Sequence, residues 1–190
     1  MNNNEKKFAI IGPGVMGEAI IIGLLENKVL PAQNIIAAGP HEYRLEELAS
    51  KYKISTTTVN AQAVKGADVV ILSIKPQKLT EVCADLKDQI PPEALVISII
   101  AGATISALST CLNHPIVVRS MPNTPAQVGE GMTVWTQSQE TSEAQHQLAK
   151  EILTALGQEI YVAEEGYIDM ATAVSGTGPA YVFLFLESID

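Results

Sequence analysis

The sequence is short of aromatic and basic residues, and each shortage limits what the protein can do. Aromatic residues make up 5% of the 190 residues, so the core must be built from aliphatic side chains. The 12 Lys and Arg residues are outnumbered by 21 Asp and Glu residues, which gives a net charge of −9. Such a chain is poorly suited to nucleic acid, because Lys and Arg supply most of that affinity. Any phosphate site must be local, made of backbone amides and one or two cations.

Cysteines and long apolar runs are also scarce. Cys83 and Cys111 are isolated and match no metal-ligand spacing, so the sequence predicts no metal site. Two isolated thiols are typical of a reducing cytoplasm, where disulfides are rare. The chain starts with a polar segment that no signal-peptide pattern follows, and no apolar run reaches the roughly 18 residues of a membrane helix. We therefore expect a cytoplasmic protein with no membrane partner.

Apolar strand-like runs alternate with helix-like segments along most of the chain. Strands are expected at residues 8–11, 34–38, 68–74, 94–100, 116–119 and 160–162, and helices at 15–27, 42–52, 78–86, 105–112 and 141–156. Several of the strand-like runs are apolar throughout, which is typical of parallel strands that helices cover on both faces. The alternation predicts an α/β fold, namely a Rossmann-type doubly wound sheet.

The pattern changes after residue 163. Residues 167–190 contain no clear strand, and the segment that follows Pro179 is apolar on almost all sides, as in a helix that needs partners. We therefore divide the chain into three parts. These are a disordered tail (1–7), a nucleotide-binding Rossmann domain (8–163) and the beginning of an incomplete all-helical domain (164–190).

A glycine-rich turn, G-x-G-x-x-G at residues 12–17, directly follows the first predicted strand and opens the first predicted helix. In that context the pattern indicates a dinucleotide site, with the pyrophosphate at the helix N-terminus. Gly12 permits the tight turn, Gly14 lets the backbone approach the phosphates, and Gly17 lets helix and strand pack closely. Pro13 has no N–H, so the donors must be Gly14, Val15 and Met16. The alternative is an ordinary strand–helix turn that tolerates glycine.

The end of the second predicted strand bears on the choice of cofactor. An acidic residue there would bind the ribose 2′-OH of NAD, but the strand ends in Ala38 and Gly39. This favours NADP, with His41 or Arg44 facing the 2′-phosphate. NAD remains an alternative, and so does a solvated Arg44 with no ligand role.

Five segments resemble the pyrroline-5-carboxylate reductase family, in the family's order and over nearly the whole chain. They are IIGPGVMGEAI (10–20), SIKPQ (73–77), ISIIAGATI (97–105), RSMPNTPA (119–126) and AVSGTGPAYVF (173–183). The resemblance implies reduction of the cyclic imine 1-pyrroline-5-carboxylate to L-proline by hydride transfer from NAD(P)H, the last step of proline biosynthesis. It also implies a small-molecule substrate and a homodimer or larger homo-oligomer.

The family's cofactor contacts can be carried over by position. The pyrophosphate is implied to lie along residues 11–16, the adenosine 2′ position beside Gly39, and the rest of the adenosine beside Asn60. The ribose and the nicotinamide are implied to contact Ser73, Ile74, Lys75, Pro76, Ile99, Ile100, Ala101, Asn123 and Thr124. Glu165 aligns with a residue near the product in the family. With Ile11, Gly12, Pro13, Gly14, Val15, Met16 and Arg44, these residues form the candidate site.

The chemistry needs positioning more than acid–base catalysis, because a protonated imine is already electrophilic. Lys75 is the candidate catalytic residue, since it follows a strand at the edge where doubly wound sheets bind ligands. The alternative is a solvated loop lysine. Asn123 has a donor and an acceptor that suit a carboxamide, or it forms a turn between two prolines. We expect His114 and His146 at the surface, and Tyr181 and Phe183 in core or dimer contacts.

The chain also departs from the family pattern. The family continues into a helical domain that interlocks two subunits and carries a Ser-Pro-Gly-Gly-Thr-Thr segment, which is absent here. We therefore expect NADPH binding but weak or no imine reduction by the chain alone. One alternative is a non-catalytic NADP-binding remnant. A β-hydroxyacid dehydrogenase is disfavoured, because its catalytic Lys would fall at Val182.

Overall fold

The computed structural model describes residues 5–189, in which eight strands form one sheet. The strands are β1 (Phe8–Ile11), β2 (Ile35–Ala38), β3 (Ser55–Thr57), β4 (Val69–Leu72), β5 (Leu95–Ser98), β6 (Val117–Met121), β7 (Gly131–Gln137) and β8 (Gly157–Tyr161). The α-helices are α1 (Val15–Glu26), α2 (Glu42–Tyr52), α3 (Asn60–Val64), α4 (Leu79–Leu86), α5 (Ile105–Leu112), α6 (Glu143–Thr154), α7 (Gly166–Ala171) and α8 (Gly178–Glu187). Short 3-10 helices cover Ala32–Asn34, Pro76–Lys78 and Thr124–Val128, and a π-helical turn covers Thr172–Gly176.

The strand order is β3-β2-β1-β4-β5-β6-β7-β8. The chain builds outward from β1 to β3, returns to β4 on the other side of β1, and then builds outward to β8. Neighbouring strands are parallel except for β6 and β7. The change of direction between β1 and β4 is the switch point at which doubly wound sheets bind ligands, beside the carboxyl ends of the strands. The predicted α/β doubly wound fold is confirmed.

The core consists of two apolar clusters, one on each face of the sheet. Phe8 and Ile10 of β1 belong to one cluster, and Ala9 and Ile11 belong to the other. All four residues are at most 1% exposed. This two-sided burial follows from the alternation of side chains along a strand, with helices packed on both faces. Fully burying one Ile or Phe side chain stabilises the fold by about 1.5–3 kcal/mol.

Several elements differ from the sequence-based expectation. The polar strand β3 and the antiparallel strand β7 were not predicted, because neither has the uniform apolar pattern of the central strands. The helix expected from Thr141 begins at Glu143, where Ser142 and Gln145 form a reciprocal N-terminal cap. At the start of the chain, Lys7 already donates its amide to Asp68 Oδ2 at 2.8 Å. Residues 1–4 of the expected tail lie outside the described residues.

The two histidines expected at the surface are both packed into the protein. His114 is 4% exposed, and its Nε2 lies 2.8 Å from the carbonyl oxygen of Ala94. Burial lowers the pKa of His114 despite that hydrogen bond. The ring of His146 is half-buried against Trp135 and Tyr161, with ring centroids 4.8 and 5.0 Å away. The expectation was wrong because contacts of this kind leave no local sequence signal.

The cysteines are not isolated. Cys83 of α4 and Cys111 of α5 are joined in a disulfide, with Cα atoms 5.6 Å apart. The expectation of two separate thiols was wrong because α4 and α5 pack side by side, although the two cysteines are 28 residues apart in the sequence.

The C-terminal helix has a different environment from the rest of the chain. α8 begins at Gly178, as Pro179 indicated, but its apolar side chains are exposed. Tyr181 is 61% exposed and Phe183 is 62% exposed, so neither packs into the core described above. Among residues 5–189, no helix has the length and apolar character needed to span a membrane.

Candidate functional site

A cleft of about 660 Å³ opens at the carboxyl ends of β1, β2 and β4. Three turns line it: residues 12–15 after β1, residues 39–41 after β2, and residues 73–75 after β4. Further lining comes from the helical residues Glu18, Tyr43, Arg44 and Leu45, and from Lys78. The turns meet there because β1 pairs with β2 on one side and with β4 on the other. The sheet order therefore brings together segments that are far apart in the sequence.

The three glycines of the first turn have different surroundings. Gly12 has a φ of +85°, and a Cβ atom there would lie 2.5 Å from Ile74 Cγ2, so only glycine fits. A Cβ at Gly17 would lie 2.8 Å from the carbonyl oxygen of Gly12, so glycine at this position allows α1 to pack closely on the turn. At Gly14, by contrast, a Cβ would meet no protein atom within 4 Å. Its bare backbone faces open space.

The turn also fixes which amides can bind an anion. The amide of Gly14 donates to the carbonyl oxygen of Gly12 at 2.8 Å, so the turn itself uses this expected donor. Val15 and Met16 stand in the first turn of α1, where no intrahelical acceptor precedes them. Their amides and the positive end of the helix dipole form a local anion site in an otherwise acidic protein.

Glu18 and Arg44 form the wall of the cleft next to this site. Arg44 makes an ion pair with Glu18, and its Nε donates to the carbonyl oxygen of Pro13 at 3.4 Å. Tyr52 and Lys51 also bond Glu18, at 2.5 and 3.0 Å. Partial burial acts to raise the pKa of Glu18, but the hydrogen bonds from Tyr52, Arg44 and Lys51 outweigh it and lower the pKa to about 2. The carboxylate beside the anion site therefore stays ionised, and the charges of Arg44 and Lys51 balance it.

The turn after β4 combines an exposed cation with a buried hydroxyl. Lys75 is exposed at the mouth of the cleft and forms no ion pair within the described part of the chain. Ser73 Oγ is buried and has no hydrogen-bond partner among the described residues. A buried hydroxyl without a partner costs free energy, so a polar ligand group at this position fits the site.

The remaining sequence-predicted residues do not line this cleft. Ile100 packs into the core at 2% exposure, and its amide already donates to Ser98 Oγ at 3.2 Å. Asn60 donates to Asp85 Oδ2 at 3.0 Å. Asn123 accepts the amide of Met132 at 2.9 Å, so its carbonyl oxygen already holds β7 and its NH₂ group remains to donate. Thr124 is exposed beside it.

Glu165 belongs to a separate charged cluster that sequence reasoning missed. Arg119 is 1% exposed on β6, and it donates to Glu165 Oε1 at 3.0 Å and to Asp169 Oδ1 at 2.5 Å. Glu165 Oε1 also accepts the amide of Ile105, the first residue of α5. Glu165 therefore joins α7 to the end of the sheet. The signal that could have revealed the cluster is an arginine inside an apolar strand, since a buried charge needs a partner.

Comparison with known proteins places the chain in a family. Residues 7–102 match the family described as "NADP oxidoreductase coenzyme F420-dependent". The chain is 40% identical to the pyrroline-5-carboxylate reductase of Pseudomonas aeruginosa over 184 residues, which covers 96% of this chain and 67% of that protein. The chain belongs to the pyrroline-5-carboxylate reductase family. The resemblance seen in the sequence motifs is confirmed.

Solved structures of the family share the fold. The pyrroline-5-carboxylate reductase of Coxiella burnetii superimposes with a TM-score of 0.90 at 35% identity, over 97% of this chain and 69% of that one. The pyrroline carboxylate reductase of Plasmodium falciparum, solved with NADP bound, superimposes with a TM-score of 0.85 at 27% identity, over 97% and 68%. The chain thus spans about two thirds of the length of these relatives.

Proposed function

We propose that the protein reduces 1-pyrroline-5-carboxylate to L-proline with a hydride from NADPH. The observation that carries this proposal is the bare glycine turn at the β1/β4 switch point, in a chain that belongs to the pyrroline-5-carboxylate reductase family. A homologous structure with NADP bound supports the choice of cofactor. When bound, the cofactor supplies the hydride, and the chain supplies the position and the electrostatic environment of the reaction.

The pyrophosphate is proposed to lie against Gly14, where a side chain is absent, and to accept hydrogen bonds from Val15 and Met16. The adenosine 2′-phosphate is proposed to lie beside Gly39 and His41, with Arg44 as the nearest fixed cation. The absence of a carboxylate at the end of β2 supports NADPH over NADH. Asn60 is proposed to contact the adenosine.

The nicotinamide end is proposed to lie along residues 73–76 and 99–101, with Asn123 and Thr124 beside the ring. The unpartnered hydroxyl of Ser73 and the unpaired cation of Lys75 support a polar ligand at this position. Lys75 is proposed to contact the cofactor ribose or the imine. Glu165 is proposed to stand near the product and to hold α7 in place through Arg119.

The proposed organisation follows the division expected from the sequence. Residues 8–163 are proposed to form the cofactor domain, and residues 164–190 to belong to a helical domain for substrate binding and dimerisation. The exposed apolar side chains of α8 support a homo-oligomer. A reductase that consumes NADPH is proposed to act in the cytoplasm on a small-molecule substrate.

The test combines calorimetric titration of the chain with NADPH and NADH, and an imine-reduction assay. Gly14→Val places its side chain in open space, so the fold tolerates it while the pyrophosphate is blocked. We expect NADPH affinity to fall by about 100-fold or more, because the backbone can no longer approach the phosphates. Gly178→Val is the matched control, since its Cβ position is also open but lies at the start of α8. Unchanged affinity in Gly14→Val removes the dinucleotide assignment at this turn.

A further inference from the structure

The disulfide between Cys83 and Cys111 lies outside the proposed site and has no role in the proposed reaction. Its Cα atoms are 5.6 Å apart, near the common value for natural disulfides, so the helices need no rearrangement to form or break it. Cys83 is 4% exposed, whereas Cys111 is half-buried. Cys111 is therefore the more exposed residue of the pair.

The bridge joins two helices whose N-terminal ends support the candidate site. The turn Pro76–Lys78 connects the cleft residue Lys75 to α4, and the first amide of α5 holds Glu165 at 2.8 Å. At the other end of the same pair, Asn113 Nδ2 donates to Asp88 Oδ1 at 2.6 Å. The disulfide is thus a covalent link within an existing helix–helix contact.

We propose that Cys83 and Cys111 form a reversible redox pair that links α4 to α5 when oxidised and opens to two thiols when reduced. The geometry of the two helices, with Cα atoms 5.6 Å apart, supports the existence of the bridge. Its reversibility rests on the proposed function, because a cytoplasmic reductase works where structural disulfides are rare and persisting ones are usually redox-sensing.

The oxidant in this proposal is a small-molecule disulfide such as oxidised glutathione. The Cys111 thiol, as the more exposed group, loses its proton and attacks one sulfur of the oxidant, which releases one small thiol and leaves a mixed disulfide. The Cys83 thiol then loses its proton and attacks Cys111 Sγ, which releases the second small thiol. Two electrons and two protons pass from the protein to the oxidant, and reduced glutathione reverses both steps.

Closing the bridge restricts the unfolded chain, since it ties two positions that are 28 residues apart. We expect the oxidised chain to melt about 5 °C or more above the reduced chain. Far-ultraviolet circular dichroism of the two forms should be the same, because the helices are already in contact in the folded state.

The experiment equilibrates the purified chain with oxidised glutathione or with dithiothreitol, alkylates it, and measures both mass and melting temperature. We expect no alkylation after oxidation, two adducts after reduction, and return of both thiols when reduced glutathione is added to the oxidised form. Cys111→Ser and Cys83→Ala should each lack the rise in melting temperature on oxidation, because neither can close the bridge, and circular dichroism checks that they fold.

Two free thiols after oxidation, or equal melting temperatures of the two forms, would overturn the redox pair. A bridge that survives a large excess of reduced glutathione would overturn its reversibility. NADPH titration of the same two samples tests the proposed function separately, because that binding depends on the Gly14 turn and not on the cysteines.

Discussion

β1 and α8 are both strongly apolar, but the side chains of β1 are buried and those of α8 are exposed. The residues of β1 are at most 1% exposed, with a hydrogen-bonded strand on each side and helices on both faces. In α8, Leu184 and Phe185 are 67% and 65% exposed. A strongly apolar segment needs packing partners, and the topology decides whether the described residues supply them.

The cleft of the candidate site and α8 share no residues. The cleft is built from turns at the ends of β1, β2 and β4, all of which are anchored in the buried sheet. None of its lining residues belongs to α8. We therefore expect changes in β1 to alter both stability and cofactor binding, and changes in α8 to leave both nearly unchanged in the monomer.

The largest expected effect comes from removing side-chain volume from β1. Ile10→Ala should lower the free energy of unfolding by about 2–5 kcal/mol, because it leaves a cavity in a packed core. Leu184→Ala, the matched change in α8, should cost less than about 0.5 kcal/mol in the monomer, where this side chain is exposed. Urea denaturation of the two variants measures both values. Equal losses would mean that α8 is as well packed in solution as β1.

A second effect concerns the charged cluster that joins α7 to the sheet. Glu165→Ala should lower the free energy of unfolding by about 2–3 kcal/mol, since buried Arg119 and the amide of Ile105 both lose an acceptor. Asp169→Ala should cost about 1 kcal/mol or less, because its side chain is 65% exposed. Thermal melts of both variants at one pH show which of the two loses more stability. A larger loss in the Asp169 variant would contradict the assignment of Glu165 as the anchor.

The smallest effect is the acid dependence of Glu18. Its pKa is lowered from 4.5 to about 2 in the folded protein, so its contribution is complete above pH 4.5 and is lost as the pH falls towards 2. Because the carboxylate is partly solvated and its ion pairs are screened, the size of the loss is about 1 kcal/mol. Glu18→Gln should flatten this part of the stability curve, whereas Glu46→Gln, at an exposed position of the same charge, should not. An unchanged pH slope in Glu18→Gln would show that the ion pairs with Arg44 and Lys51 do not form in solution.

The sequence was most informative where local pattern and structure coincide. Uniform apolar runs predicted β1, β4 and β5, and the glycine spacing predicted the turn that opens the cleft. It was least informative where distant residues meet. The disulfide, the burial of His114 and the ion pairs of Arg119 all depend on contacts that only the sheet order creates. Strands β3 and β7 were missed because their polar residues do not show the pattern of two-sided burial.

The most direct test of the central claim is an NMR titration of backbone amides with NADPH. The pyrophosphate is expected to bind the amides that begin α1, so Val15 and Met16 should show the largest shifts, followed by Gly39 at the end of β2. Residues of β8 should shift little, because β8 is the edge strand farthest from β1 on that side of the sheet. Saturating NADPH that leaves the amides of Val15 and Met16 unmoved would contradict the claim that this turn holds the cofactor.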